Sequence, residues 1–396
     1  MPSISNKGNL MPESPIRKLV PYAEKAKKKG IKVFHLNIGQ PDIETPKSAL
    51  KAVKNADIKV LAYSKSEGDL NLREKISDYY ARHNVEISSS DIIITSGASE
   101  ALLFTIGSIM DSMDEIIIPE PFYANYNGFS AANGVNIVPV SSSIDDNFSL
   151  PKIDDFESLI SSKTKAILIC NPNNPTGYVY SESEIKRLIE IVKKHDLYLI
   201  ADEVYREFTY DGVNHTSIME FNDIYQNAIV IDSVSKRYSM CGARIGCIVS
   251  KNIEFMNTAM KFAQARLSPP TLAQIASTAA MDTGKDYFDK ILKEYNKRRV
   301  ILVNGLKKIP GVKVSEPKGA FYCIAELPVN DSEDFAKWLL ENYDLDKKTI
   351  MIAPAGGFYS TPNSGKNQVR IAYVLNENDL KTSIEILRTG LIEYCK

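Results

Sequence analysis

Between residues 91 and 250, short apolar runs alternate with amphipathic stretches. The runs are "DIIITSG" (91–97), "EIIIPEP" (115–121), "NIVPV" (136–140), "KAILICNP" (165–172), "LYLIADE" (197–203), "AIVIDSVS" (228–235) and "IGCIVS" (245–250). Most lack a polar face, which suits strands covered on both sides, as in a parallel sheet. Helices are predicted between them. In "SESEIKRLIEIVKKH", Ser181 and Glu184 have the spacing of a capping box, and Ile185, Leu188, Ile189 and Val192 form one apolar stripe at helical spacing. The alternation predicts an α/β fold with a doubly wound, mostly parallel sheet. Ligands of such sheets sit beyond the carboxyl ends of the strands, so the chemistry is sought there.

The last hundred residues have another rhythm. "VKVSEPKGAFYCIAEL" predicts paired strands, "SEDFAKWLLENY" a helix, "QVRIAYVL" a strand and "ENDLKTSIEILRTGLIEYC" a closing helix. This is an α+β pattern and predicts a second, smaller domain. The expected division is a large domain over 48–295 and a small one from 1–47 and 296–396. No internal repeat or low-complexity segment interrupts either.

Composition narrows the function classes. The 396 residues are 44% hydrophobic and 24% charged with a net charge of −1, so no basic footprint points to nucleic acid. The cluster "KAKKKG" (25–30) suits a helix end, where cations meet the helix dipole. Five scattered cysteines, Cys170, Cys241, Cys247, Cys323 and Cys395, fit free thiols in a reducing compartment. His35, His83, His195 and His215 stand apart in no metal-binding spacing, so no metal is expected. No window reaches the ~20 apolar residues of a membrane span, and "MPSISNKGNLMPESPIRK" has no apolar core of signal-peptide length. A cytoplasmic protein is expected.

The strand ends carry the chemistry. "AILIC" runs into "NPNNPTG" (171–177), "LYLIA" into "DEVY" (202–205), "AIVID" into "SVSK" (233–236) and "IIIT" into "SGASEAL" (96–102). Taken singly these are ordinary. Asn-Pro and Pro-Thr-Gly are common turn residues, Asp202 could cap a helix, and a lysine is usually solvated. Together they place an amine, a carboxylate, an amide and hydroxyls around one crevice. A lysine at that edge is what Schiff-base chemistry requires. A cofactor with an aldehyde, a pyridine nitrogen and a phosphate would use Lys236, Asp202, and the "GAS" helix start with Arg244. Pyridoxal 5'-phosphate fits that description, whereas no GxGxxG or Walker motif supports a nicotinamide or ATP site.

The ordered set "NIGQPD", "SGASEAL", "PEPFYANY", "NPNNPTG", "DEVY", "SVSK…ARIG" and "VRIAY" resembles the aspartate-aminotransferase family of pyridoxal-phosphate enzymes, of fold type I, across residues 36–373. The resemblance implies that Lys236 forms the Schiff base and then moves the substrate proton, and that Asp202 faces the pyridine nitrogen. It implies that Asn174 and Tyr205 bind the 3′ oxygen and that Tyr123 stacks on the ring. The phosphate would be held by the backbone N–H groups of Ala98 and Ser99, the Ser233 hydroxyl and Arg244. Tyr63 would reach the phosphate of a neighbouring subunit in a homodimer with shared sites. Arg370 would bind the substrate α-carboxylate, with the Gly39 backbone and Asn174 beside it. Cys241 and Arg237 receive no role.

The pattern departs from the family at the distal carboxylate. Some relatives carry a lysine where this chain has Ser99, and others an arginine before paired prolines, where counting back from Pro269 reaches Ala263. Arg266 or Arg17 could supply the missing cation; without one, neutral or aromatic donors fit better than aspartate. The expected activity is transfer of an amino group from an L-amino acid to a 2-oxo acid, 2-oxoglutarate by family habit. A β-lyase on the same scaffold is the alternative. A non-catalytic binding module fits the intact Lys236, Asp202 and Arg370 poorly.

Overall fold

Every one of the seven apolar runs forms a strand in the computed structural model, which describes residues 2–396. In chain order the strands begin with β1 (Lys32–His35), β2 (Ile92–Thr95), β3 (Glu115–Glu120), β4 (Asn136–Ser141), β5 (Thr164–Cys170), β6 (Tyr198–Asp202) and β7 (Ala228–Ser233). There follow β8 (Gly246–Val249), β9 (Lys313–Val314), β10 (Tyr322–Glu326), β11 (Lys348–Met351), β12 (Ala353–Pro354) and β13 (Gln368–Ala372). Strands β2 to β8 make one sheet in the order β2-β8-β7-β6-β5-β3-β4. It is parallel except for β8, which runs antiparallel to both neighbours. A buried parallel strand was the expectation for 245–250. Its direction reverses because residues 234–245 hold only one helical turn and a short 3-10 turn. That is no crossover helix, so the chain doubles back.

Successive residues of a strand face opposite sides, and here both sides are apolar. Ile93, Ile116, Ile200 and Ile231 pack on one face with Leu102 and Phe255. Ile92, Ile94, Ile117 and Leu199 pack on the other with Leu188 and Tyr80. Each such side chain contributes about 1.5–3 kcal/mol of burial. The helix Glu182–His195 carries the expected capping box and buries Ile185, Leu188, Ile189 and Val192. The lysine cluster does end a helix, Val20–Lys28.

The C-terminal part follows its own pattern. An antiparallel sheet in the order β12-β13-β10-β9 packs with the helices Ser332–Glu341 and Glu377–Tyr394 around a separate core. The sequence did not reveal the parallel pair of β1 with β11, two four-residue strands far apart in the chain. The expected division at 295–296 falls inside one helix, Lys285–Leu306.

Ser181→Ala removes a side chain that accepts the Glu184 N–H and donates to its carboxylate. A loss of about 1 kcal/mol is expected in urea unfolding; an unchanged midpoint would show that the cap is dispensable.

Candidate active site

Parallel strands deliver β2, β3, β5, β6 and β7 with their carboxyl ends on one edge, and β8 starts from that edge because it runs the other way. Asp202 ends β6, and Lys236 lies on the single helical turn Val234–Arg237 that follows β7. Gly246, the first residue of β8, sits between Ser233 and Thr95. A Cβ there would come within 2.6 Å of the Ala98 nitrogen, so only glycine lets β8 fit. Arg244, two residues earlier, is held in a left-handed conformation at φ +55°.

Asp202 is a buried carboxylate, and among the described residues no cation is in ion-pair contact with it. Its oxygens accept the Tyr126 hydroxyl at 2.8 Å and the Val204 N–H at 3.4 Å. Burial pushes its pKa up to about 6, and the Tyr126 hydrogen bond opposes that rise. Lys236 Nζ donates to the Gly39 carbonyl at 2.8 Å and lies 3.8 Å from Cys241 Sγ. Among the described residues it meets no carboxylate.

Arg370 sits in β13 between β10 and β12 and is only 1% exposed. Its Nη1 donates to Asn174 Oδ1 at 2.9 Å and its Nη2 to the Asn37 carbonyl at 2.6 Å, while Nε has no partner among the described residues. The guanidinium lies between the rings of Tyr322 and Phe358, at 4.4 and 4.9 Å. Burial lowers its pKa. A buried cation without a counter-ion is costly, so the arrangement suits an incoming carboxylate.

Asn174 also reaches Tyr205 Oη at 3.5 Å, and Tyr205 shares a 2.8 Å hydrogen bond with the Tyr322 hydroxyl. Gly39 closes the ring of contacts, since a Cβ there would stand 1.7 Å from Tyr322 Oη. Tyr123 packs edge-on against Tyr126, and burial pushes its hydroxyl up to about 12.

At the start of the helix Ala98–Ile109, no acceptor among the described residues takes the N–H of Ala98 or Ser99. Arg244 covers this end. Its Nη2 reaches the Ser96 carbonyl at 3.5 Å, and a Cβ on Gly97 would meet that nitrogen at 2.3 Å. Free N–H groups beneath a guanidinium make an anion cradle. Ser233 is more engaged than expected: its Oγ caps the Lys236 turn and lies 2.8 Å from both Ser235 Oγ and the Ile245 carbonyl.

Residues 31–387 match the family model for "Aminotransferase class I and II". The chain belongs to that family. Its activity is amino-group transfer, and the family implies pyridoxal phosphate. The aspartate aminotransferase of Pyrococcus horikoshii is 32% identical over 96% of this chain and 95% of its own. The (5-formylfuran-3-yl)methyl phosphate transaminase of Methanocaldococcus jannaschii is 33% identical over 94% and 95%. The alanine aminotransferase structure from Pyrococcus furiosus superposes with a TM-score of 0.89 at 28% identity, covering 99% of this chain and all of that one.

One expectation about this aminotransferase changes. Arg266 is committed to Glu100 at 2.8 Å and to the carbonyls of Ser66 and Ile94, so it is not a free cation for a substrate. Tyr63 is 79% exposed and takes no part in the hydrogen bonds that join the other residues. Arg17 is exposed and forms no ion pair among the described residues; it is next to Ile16, whose carbonyl accepts Asn37 Nδ2 at 2.8 Å. Tyr126, Tyr322 and Phe358 were not foreseen, because buried aromatic residues look like core in a sequence. Among the described residues no acidic, histidine or cysteine cluster could hold a metal, and no helix is long and apolar enough to cross a membrane.

Because the Asp202 pKa is raised in the folded protein, its contribution to stability is full below about 3.9, the unfolded value, and is lost as pH rises through about 6. Asp202→Asn in the cofactor-free protein is expected to flatten the melting-temperature curve between those pH values. Parallel curves for the two proteins would contradict the raised pKa.

Proposed function

We propose that this aminotransferase moves an amino group between an L-amino acid, aspartate or an aromatic or neutral donor, and a 2-oxo acid, 2-oxoglutarate, with pyridoxal 5'-phosphate as cofactor. One observation carries the reading. Arg370 is a buried guanidinium without a carboxylate partner, adjoining Asn174 and, through the Asn37–Gly39 backbone, the atom on which Lys236 rests. A bidentate α-carboxylate supplies the missing anion. The substrate Cα is thereby brought within range of Lys236 Nζ.

The fit to the cofactor rests on this chain's own groups. Lys236 would hold the aldehyde carbon, the free N–H groups of Ala98 and Ser99 with Arg244 and Ser233 the phosphate, and Asn174 with Tyr205 the 3′ oxygen. Tyr123 would cover the ring. When bound, the cofactor supplies an electron sink for the electrons of the Cα–H bond. Asp202 would keep a positive charge on the ring nitrogen only while ionised, and the Tyr126 hydroxyl favours that form. Lys236, once free, has the amine to take the Cα proton and return it elsewhere. Tyr322 anchors the Tyr205 hydroxyl.

A homodimer with shared sites is part of the proposal. Val60, Leu61 and Tyr63 are 78%, 61% and 79% exposed in one protomer, an apolar run that a partner subunit would cover. The commitment of Arg266 to Glu100 favours neutral or aromatic donors, and Arg17 is the cation left near Asn37 for a dicarboxylate.

Lys236→Ala is expected to abolish the visible absorbance of the lysine Schiff base in the cofactor-loaded protein; an unchanged band would refute the assignment. Arg17→Ala is expected to lower kcat/KM about tenfold, or about 1.4 kcal/mol, for aspartate and glutamate while sparing alanine and phenylalanine. Equal rates for all four donors in both proteins would remove Arg17 from substrate recognition.

A further inference from the structure

The catalytic edge has a charged underside. Asp202 and Glu203 are consecutive, as are Lys236 and Arg237. Asp202 meets Tyr126 on one face of the sheet, whereas Asp232 meets Tyr80 on the other. There Arg237 Nη2 donates to Asp232 Oδ1 and Oδ2 at 2.8 and 2.6 Å. Asp232 Oδ1 also accepts the N–H of Ser233 at 2.7 Å, the residue that caps the Lys236 turn. Residues 232 and 237 thus staple the turn from beneath, with Lys236 enclosed between them.

The staple is held on every side. The Arg237 guanidinium lies 4.0 Å from the ring of Tyr79, and the Tyr79 hydroxyl donates to Glu207, itself 3.9 Å from Arg237 Nε. Arg206 stacks on Tyr80 at 4.3 Å and lies 3.6 Å from Glu203. His215 is also 3.6 Å from Glu203, and His83 is 3.6 Å from Glu207. The other titratable neighbours are Tyr238, whose ring lies 5.9 Å from the Arg237 guanidinium, Arg82, 5.8 Å from the ring of Tyr79, and Cys247 on β8.

A buried ion pair is weak evidence of stability, since apolar residues of similar volume often serve as well or better. Its position is more informative. We propose that Arg237 is a positioning residue: by clamping Asp232 it fixes the turn that carries Lys236 and cancels a buried negative charge directly behind the groups that act on the cofactor. This rests on the function proposed above. Asp232 is near enough to Asp202 to oppose its ionisation. Left unpaired, Asp232 would favour protonation of both front-side groups; without Asp232, an unpaired Arg237 would do the reverse.

The test uses the cofactor-loaded protein and reads the pH at which its visible band changes. Arg237→Met is expected to raise that pH by about one unit, a tenfold change in the proton equilibrium, and to lower kcat per loaded site with KM for the donor nearly unchanged. Asp232→Asn, which keeps an acceptor for the Ser233 N–H, is expected to lower the transition pH. The neutral double variant Asp232→Asn/Arg237→Met is expected to return it towards the wild-type value. Should Arg237→Met fail to fold, the other two variants still carry the test. Single variants that melt earlier but keep the wild-type transition and kcat would overturn the proposal, as would a double variant displaced as far as either single one. A wild-type protein without a visible band would instead refute the proposed cofactor chemistry, so the two failures are distinguishable.

Discussion

Removing a guanidinium from water costs several kcal/mol unless an anion meets it, and Arg370 is buried with two carbonyl oxygens and two aromatic rings in place of one. Its neighbours are arranged around that deficit. Strand β13 is hydrogen-bonded on both sides, so the backbone beneath Arg370 is fixed. Asn174 brings in the loop after β5, and Asn37 brings in the segment that carries Gly39. Tyr322, which packs against the guanidinium, requires a glycine at 39 and also holds Tyr205. Lys236 comes to rest on the Gly39 carbonyl. The central sheet and the C-terminal sheet are thereby joined at the point where a substrate carboxylate would bind.

The same economy of placement governs the sheet edge. Because alternate residues face opposite sides, a strand end can offer Asp202 to the crevice and bury Glu203 behind it. The reversed β8 adds Arg244 to an edge otherwise built from carboxyl ends of strands. Its cation covers the helix start that would repel it least strongly when an anion is bound between them.

Much of this was legible in the sequence, for identifiable reasons. Apolar runs marked all seven central strands, most of them without a polar face because both sides are buried, whereas β4 at the sheet edge is only partly covered. Their polar ends exposed Lys236, Asp202, Asn174 and Tyr205. The direction of β8 was hidden, since an antiparallel strand buried on both faces has the composition of a parallel one. The β1–β11 pair was hidden because short strands distant in sequence leave no local signal. Tyr126, Tyr322 and Phe358 look like core until their neighbours are known. Arg266 and Arg237 were ambiguous for the same reason: their partners, Glu100 and Asp232, are set by the fold, and a charge alone does not say whether it is already paired.

Arg370 lacks an anion among the described residues, and in the proposed function the substrate brings it. The most direct measurement is the melting temperature of the cofactor-loaded protein and of Arg370→Met, each with and without 2-oxoglutarate. 2-Oxoglutarate is expected to raise the melting temperature of the wild-type protein and to leave that of the variant unchanged. An equal rise in both would contradict that role of Arg370.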